Sequence, residues 1–256
     1  MKTNCFRDFA KYASLNVMGM IGLSCYILAD TFFVSKGLGA NGLTALNLAI
    51  PIYSFISGSG LMIGMGGGTK YSIQKSQADH EAANRTFTSA LYLAAAFAVF
   101  FMLVGLFFSG TIVTLFGADE NVFEMSRTYL QVILLFAPAF LLNNVLLCFV
   151  RNDGAPQLSM AAMIGGSFSN IVLDWVFIFP CRMGIFGAVF ATGLAPIISM
   201  MILSPHFIRK KNQFHLTKCR PELRRFCGIL SSGVPSLVTE VSSGIVMIAF
   251  NAIILR

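Results

Sequence analysis

Charge is scarce in this sequence: 11% of its 256 residues are Asp, Glu, Lys or Arg, against about 25% in an ordinary soluble domain. With 56% hydrophobic residues, so little charged surface cannot keep a chain of this size dispersed in water, and a lipid environment is implied. The six cysteines (Cys5, Cys25, Cys148, Cys181, Cys219, Cys227) form no CxxC pair, which argues against a metal or disulfide framework and for small apolar packers. Neither HExxH nor an Asp-rich DDxxD run occurs. A membrane-embedded protease or lipid transferase needs such paired groups, so the chain is read as no enzyme. The GMGGGTK stretch at Gly64–Lys70 does not end in the Gly-Lys-Ser/Thr of a phosphate loop, and tight helix packing is the better reason for its glycines. The basic start, MKTNCFRDFAKYASLNVMGM, leads into an apolar run reaching Val34 without a small-residue cleavage site. A retained first span is expected rather than a removed signal peptide.

Long apolar runs dominate what remains. A hydrocarbon core about 30 Å thick needs about 20 apolar helical residues, and seven runs qualify: Tyr12 to Val34, Leu43 to Met65, Phe87 to Ser109, Tyr129 to Val150, Leu158 to Phe179, Ile185 to Pro205 and Ile229 to Leu255. The segments between them, KGLGANG, KYSIQKSQADHEAANR, GADEN, RNDGAP, PCRMG and a basic stretch from His206 to Arg225, read as loops by their Gly, Pro, Asn and Asp content. The fold class expected is therefore all-α, a polytopic transmembrane helix bundle. Lys and Arg are retained on the cytoplasmic side of short loops. Lys2, Arg7, Lys11, Lys70, Lys75, Arg85, Arg151, Arg209, Lys210, Lys211, Lys218, Arg220, Arg224 and Arg225 fall on one side; Lys36, Arg127, Arg182 and Arg256 fall on the other. That imbalance predicts a cytoplasmic N-terminus in a multi-pass protein of the cell membrane. The net charge of +7 then reflects topology and attraction to anionic membrane lipid, with no nucleic acid partner needed.

The seventh run follows a complete set of six, across a long basic connection. Transporters are often built from repeated halves, so three parts are expected: a six-helix lobe over residues 1–205, a cytoplasmic linker over 206–228, and over 229–256 the opening helix of a second lobe. On this reading the 256 residues are an incomplete transporter, to be completed by the missing lobe or by a second copy.

Eight of the eleven acidic residues lie in or beside loops; Asp30, Asp174 and Glu240 lie within spans. A carboxylate at a bilayer centre costs about 2.5–3.5 kcal/mol on insertion scales, so such residues snorkel to the interface or face a cavity, a partner or an ion path. For Asp30 and Asp174, near the ends of their spans, both options stay open. Asn170 and Asp174, four apart, share one helix face. Thr192 follows across a short turn and joins them if the fifth and sixth spans pack antiparallel. A carboxylate in a dry pocket of this kind can exchange a proton with its surroundings, and the same oxygens suit Na⁺. Pro51, Pro138 and Pro196 fall inside spans, where they either kink a moving helix or are merely tolerated. The 25 Phe and 13 Met serve a promiscuous cavity or simple packing and lipid contact. His80, His206 and His215 read as loop residues without chemistry.

The sequence resembles the multidrug and toxic compound extrusion (MATE) transporters. The resemblance rests on ADTFFVSKGLGANGLTALNLAIPI (Ala29 to Ile52), on GMGGGTKYSIQKSQAD (Gly64 to Asp79), and above all on RNDGAPQLSMAAMIGGSFSNIVLDWVFIF followed by GIFGAVFATGLA. It covers nearly the whole chain. It implies a six-helix MATE-type lobe plus a seventh helix, and export of organic, often cationic, drugs in exchange for H⁺ or Na⁺ without any other cofactor. It further implies a cation-coupling site at Asp30, Asn170, Asp174 and Thr192, with Na⁺ held by the first three. Glu240, in SSGVPSLVTEVSSG, is implied as a second cation or substrate group, and substrate is placed in an apolar cavity between lobes. A lipid-linked flippase of similar architecture calls for a basic cavity, and the spans hold almost no Lys or Arg. A non-transporting fragment is the other alternative.

Overall fold

The computed structural model describes residues 5–254, with side chains left undescribed for 5–9, 11, 12, 23 and 247–254. Lys2 and Arg256 of the orientation count therefore lie outside the described residues, as do the side chains of Cys5, Arg7, Asp8 and Lys11. Seven helices follow one another: α1 Cys5–Ser76, α2 His80–Leu115, α3 Glu120–Leu135, α4 Ala137–Asn152, α5 Pro156–Ile178, α6 Gly184–Ile208 and α7 Leu223–Ile254. The described residues form an all-helical bundle.

Helix α1 has 72 residues, and a straight helix of that length would run about 108 Å, over three times a bilayer core. It does not run straight. Gly39 adopts φ 69° and ψ −160°, a conformation that only glycine takes without strain. The two arms on either side of it fold back on each other: the hydroxyls of Tyr26 and Tyr53 meet at 2.8 Å, although 27 residues of continuous helix would separate them by about 40 Å. The seven-residue loop expected at Lys36 to Gly42 is thus compressed into a turn at a single glycine.

The fourth expected span is made of two pieces. Helices α3 and α4 meet at Phe136 with a bend of 47°, and Pro138 falls in the first turn of α4, where its missing N–H costs nothing. It starts a helix and does not kink one. Pro51, Pro196, Pro205 and Pro235 do lie inside helices. With the two arms of α1 counted separately and α3–α4 taken as one bent span, the bundle crosses an apolar slab seven times. On α2, Phe100, Leu103, Phe107 and Phe108 are exposed, Phe107 to 73%. In water that would be an aggregation surface; against lipid it is the expected outer face. Helix α4 is the interior element, with Leu147 to Val150 all buried.

Helix α7 lies antiparallel along the second arm of α1. Its residues Gly233, Glu240 and Gly244 meet Met62, Gly58 and Ser54 in turn, rising along one helix as they fall along the other. The approach is backbone to backbone: a Cβ at Gly66 would run into the Ile229 carbonyl, and one at Gly233 into that of Met62.

The ends of the bundle sort as the charge pattern requires. Asp153 binds Lys75 and His206, and His215 and Thr217 bind Asn84 and Thr88, so the loops counted on the basic side share one end. At the other end, Gly37 packs on Ile178 and Gly184 on Leu38. The connection between α6 and α7 is shorter than the basic stretch suggested, because α6 continues to Ile208 and α7 begins at Leu223. It is also docked. The backbone N–H groups of Gln213, His215 and Thr217 donate to Asp153, Asn84 and Thr88 at 2.8, 2.8 and 3.1 Å, and Phe214, 1% exposed, sits among Tyr71, Phe87, Phe149 and Phe207.

Candidate cation site

Asp30 comes from the first arm of α1, Asn170 and Asp174 from α5, and Thr192 from α6. The four are 7%, 0%, 0% and 5% exposed, so neither aspartate snorkels to an interface. With its amide turned to suit its neighbours, Asn170 donates to Asp174 Oδ2 at 3.0 Å and accepts from the Thr192 backbone N–H at 3.2 Å. Antiparallel packing of α5 and α6 brings Thr192 beside Asn170, but the link runs through the Thr192 backbone N–H and not through the hydroxyl that the sequence suggested. The Thr192 hydroxyl donates to the Ala188 carbonyl at 3.1 Å. Asp30 and Asp174 lie close enough for their charges to interact.

Each aspartate keeps one buried oxygen, Asp30 Oδ1 and Asp174 Oδ1, without a hydrogen-bond partner. Leaving a buried polar atom unpaired costs about 1–3 kcal/mol, more for a charged one. Two such atoms on a pair of aspartates whose charges interact form a site that gains from taking up a proton or a cation. The donor set around it is hard oxygen: carboxylates, an amide and hydroxyls, which suits H⁺ or an alkali cation better than a soft metal. No cluster of three or more His, Cys, Asp or Glu able to hold a metal occurs among the described residues.

Three tyrosines complete the surroundings. Tyr129 of α3 hydrogen-bonds Thr192 and feels the charges of both aspartates. Tyr26, one turn before Asp30, hydrogen-bonds Tyr53 at 2.8 Å, and Asp30 acts electrostatically on both rings. Glu240 stands on the far side of Tyr53. It is half-buried on α7 over Gly58, hydrogen-bonds Ser57, and interacts with Tyr53. It is therefore separate from the four-residue cluster and is linked to it through the tyrosine pair. Tyr26 was findable, since it shares a helix face with Asp30; nothing in the sequence brings Tyr53 and Tyr129 to the site.

A second polar cluster occupies the basic end. Asp153, with its side chain fully buried, accepts from Tyr71 (2.6 Å) and Lys75 (2.8 Å) at Oδ1, and at Oδ2 from the Gln213 N–H (2.8 Å), with His206 Nε2 at 3.0 Å. Burial pushes its carboxyl up, but the bonds from Lys75, Tyr71, Gln213 and His206 outweigh that and hold it below the ordinary carboxylate range. This corrects the reading of His206 as a loop residue without a role: it is buried in the last turn of α6. His80 likewise opens α2.

Comparison with known proteins follows the same outline. Residues 17–176, more than half of the chain, match the MatE family. The multidrug export protein MepA of Staphylococcus saprophyticus is 25% identical over 98% of this chain, which spans 56% of that relative's length. Two solved structures of a multidrug resistance MATE family transporter of the MOP superfamily superpose on it. The inward-facing one has a TM-score of 0.78 at 30% identity, covering 87% of this chain and 51% of its own; the outward-facing one has 0.79 at 29%, covering 92% and 52%. The chain therefore spans about half the length of the relatives it matches. A seven-span apolar bundle, the family match across its first five spans and the shared fold over nearly its whole length together establish that the chain belongs to the MATE family of multi-pass membrane transporters.

Proposed function

We propose that this chain supplies the cation-coupled lobe of a multidrug antiporter, exporting organic cations from the cell in exchange for H⁺ or Na⁺. The observation that carries the reading is the pair of buried, unpartnered carboxylate oxygens of Asp30 and Asp174. Cation uptake there offsets the cost of the two unpaired carboxylate oxygens, so the bundle arrangement that holds the two aspartates together is favoured when the cation is bound. Only such a difference in affinity between two arrangements can drive export. The relatives' inward- and outward-facing forms supply the two arrangements for this reading. Asn170 and Thr192 orient Asp174, Tyr129 spans the two aspartates, and Glu240 acts as a second cation or substrate group through Tyr53. The first six spans form the lobe, the connection between α6 and α7 the linker, and α7 opens a second lobe supplied by further chain or by a second copy. The N-terminus lies in the cytoplasm and the protein in the cell membrane.

Ethidium efflux from proteoliposomes, under separately imposed pH and Na⁺ gradients, tests the reading. One gradient is expected to drive efflux that Asp174→Asn abolishes and that Asp119→Asn, in an exposed loop, leaves unchanged. Equal efflux by the wild type and Asp174→Asn would remove Asp174 from the mechanism.

A further inference from the structure

The connection between α6 and α7, residues 209–222, is a docked strap, and its end from Lys218 to Glu222 turns into α7 and walls a cavity of about 400 Å³ together with Arg85 and Arg225. Three separate segments contribute: the start of α2, the strap and the start of α7. The strap is held in place by its N–H bonds to Asn84 and Thr88, so the wall beside Arg85 is built and not a loose tail.

The charges are unbalanced. Arg225 is paired with Glu222 at 3.0 Å and Arg85 with Glu81, which orients both guanidinium groups. Lys218 and Arg220 have no carboxylate partner among the described residues. Helix α7 adds to the imbalance. Its first turn holds Arg224 and Arg225 and no acidic residue, although the positive end of a helix dipole disfavours cations. A topology signal needs basic residues somewhere on this side; it does not need them to converge from three segments on one cavity at a helix N-terminus.

We propose that this pocket binds one phosphate group, carried by an anionic lipid headgroup or as free inorganic phosphate. Arg85 and Arg225 clamp its oxygens, which guanidinium forks match in geometry, and Lys218 and Arg220 balance its charge. The site lies where the strap enters α7, so an occupant ties the first six spans to the helix that follows them. The proposal rests on the membrane orientation given above, which sets this end of the bundle against the anionic cytoplasmic leaflet.

The test uses the purified 256-residue chain in detergent micelles doped with phosphatidylglycerol or phosphatidylcholine, with retained lipid counted by native mass spectrometry. One phosphatidylglycerol is expected to be retained in preference to phosphatidylcholine, or else displaced by inorganic phosphate but not by chloride at equal ionic strength. Displacement assigns the pocket to the free ion; retention assigns it to the headgroup. Affinity is expected to fall about five-fold for Arg220→Gln and about 25-fold for Arg85→Gln with Arg220→Gln, on the usual contribution per basic residue near a membrane surface. Lys36→Gln, at the other end of the bundle, is expected to change nothing. Arg220 is exposed, so its single variant keeps the test decisive if the double variant loses helix content. Equal retention of both lipids with no effect of phosphate, or affinity unaltered in the Arg220 variant, overturns the proposal. Asp174→Asn is expected to leave retention unchanged, which separates a failure here from a failure of the transport reading.

Discussion

Replacing Asp153 by Asn keeps the volume of the side chain and removes half of its accepting capacity. In the native protein each carboxylate oxygen has two partners, Tyr71 and Lys75 on one and Gln213 N–H and His206 on the other. Whichever position the amide NH₂ takes, it faces one group that can only donate, the Lys75 ammonium or the Gln213 N–H. At least one of the four bonds is lost, and the Lys75 ammonium no longer faces a charge. Breaking a buried ion pair costs about 3–5 kcal/mol. The low end applies because the Lys75 side chain is 25% exposed and can rehydrate. A loss of about 3 kcal/mol corresponds to a drop of about 6–12 °C in the thermal midpoint for a chain of this size, read by circular dichroism in detergent. The pH dependence has a defined sign. The folded carboxyl is held below its ordinary range, so its contribution is complete above the unfolded value of about 3.9 and is lost as pH falls through the folded value. Wild type and variant are expected to differ fully at pH 7 and to converge in acid. A difference below about 2 °C at pH 7, or one that widens as pH falls, would refute the account of Asp153 as an ionised four-bond hub.

Phe214→Ala empties the aromatic box that seats the strap. A loss of about 3–5 kcal/mol is expected, with faster tryptic cleavage at Arg209 to Lys211 and at Lys218; an unchanged cleavage pattern would show that the backbone bonds alone hold the strap. Gly66→Val drives a branched side chain into the Ile229 carbonyl, which as backbone cannot move aside. Cysteines at Ser54 and Gly244, whose Gly244 neighbour contact is with Ser54 Oγ, are expected to cross-link in the parent and to lose that cross-link in the Gly66→Val background.

The seven crossings were legible because a bilayer sets a length that apolar runs must meet, and because a miscounted span would have swapped the sides of every later basic residue. What the sequence did not disclose was how the backbone turns. Gly39 reverses the chain within one residue, where composition suggested a seven-residue loop, and the fourth crossing breaks at Phe136 so that Pro138 begins a helix. Asn170 and Asp174 could be paired from their spacing, since four residues make one helical turn. Asp153 could not be singled out that way: its partners come from α1, α6 and the strap, 78, 53 and 60 residues away in sequence, and no local period joins them. The same holds for Tyr53 and Tyr129, whose places depend on helix packing. The basic stretch before α7 reads as solvated from its charges, and only Phe214 hints that it is docked.

Infrared difference spectroscopy of the purified chain, following the carbonyl bands of buried carboxylic acids through a pH titration with and without Na⁺, probes the central claim most directly. A proton-coupled site predicts carboxyl bands that rise and fall with pH, and a sodium-coupled site predicts bands that Na⁺ displaces. In both cases the response is expected to shrink in Asp30→Asn and in Asp174→Asn and to vanish when both are changed. A response that survives intact in the double variant, or a wild-type spectrum indifferent to both pH and Na⁺, would contradict cation exchange at these two aspartates.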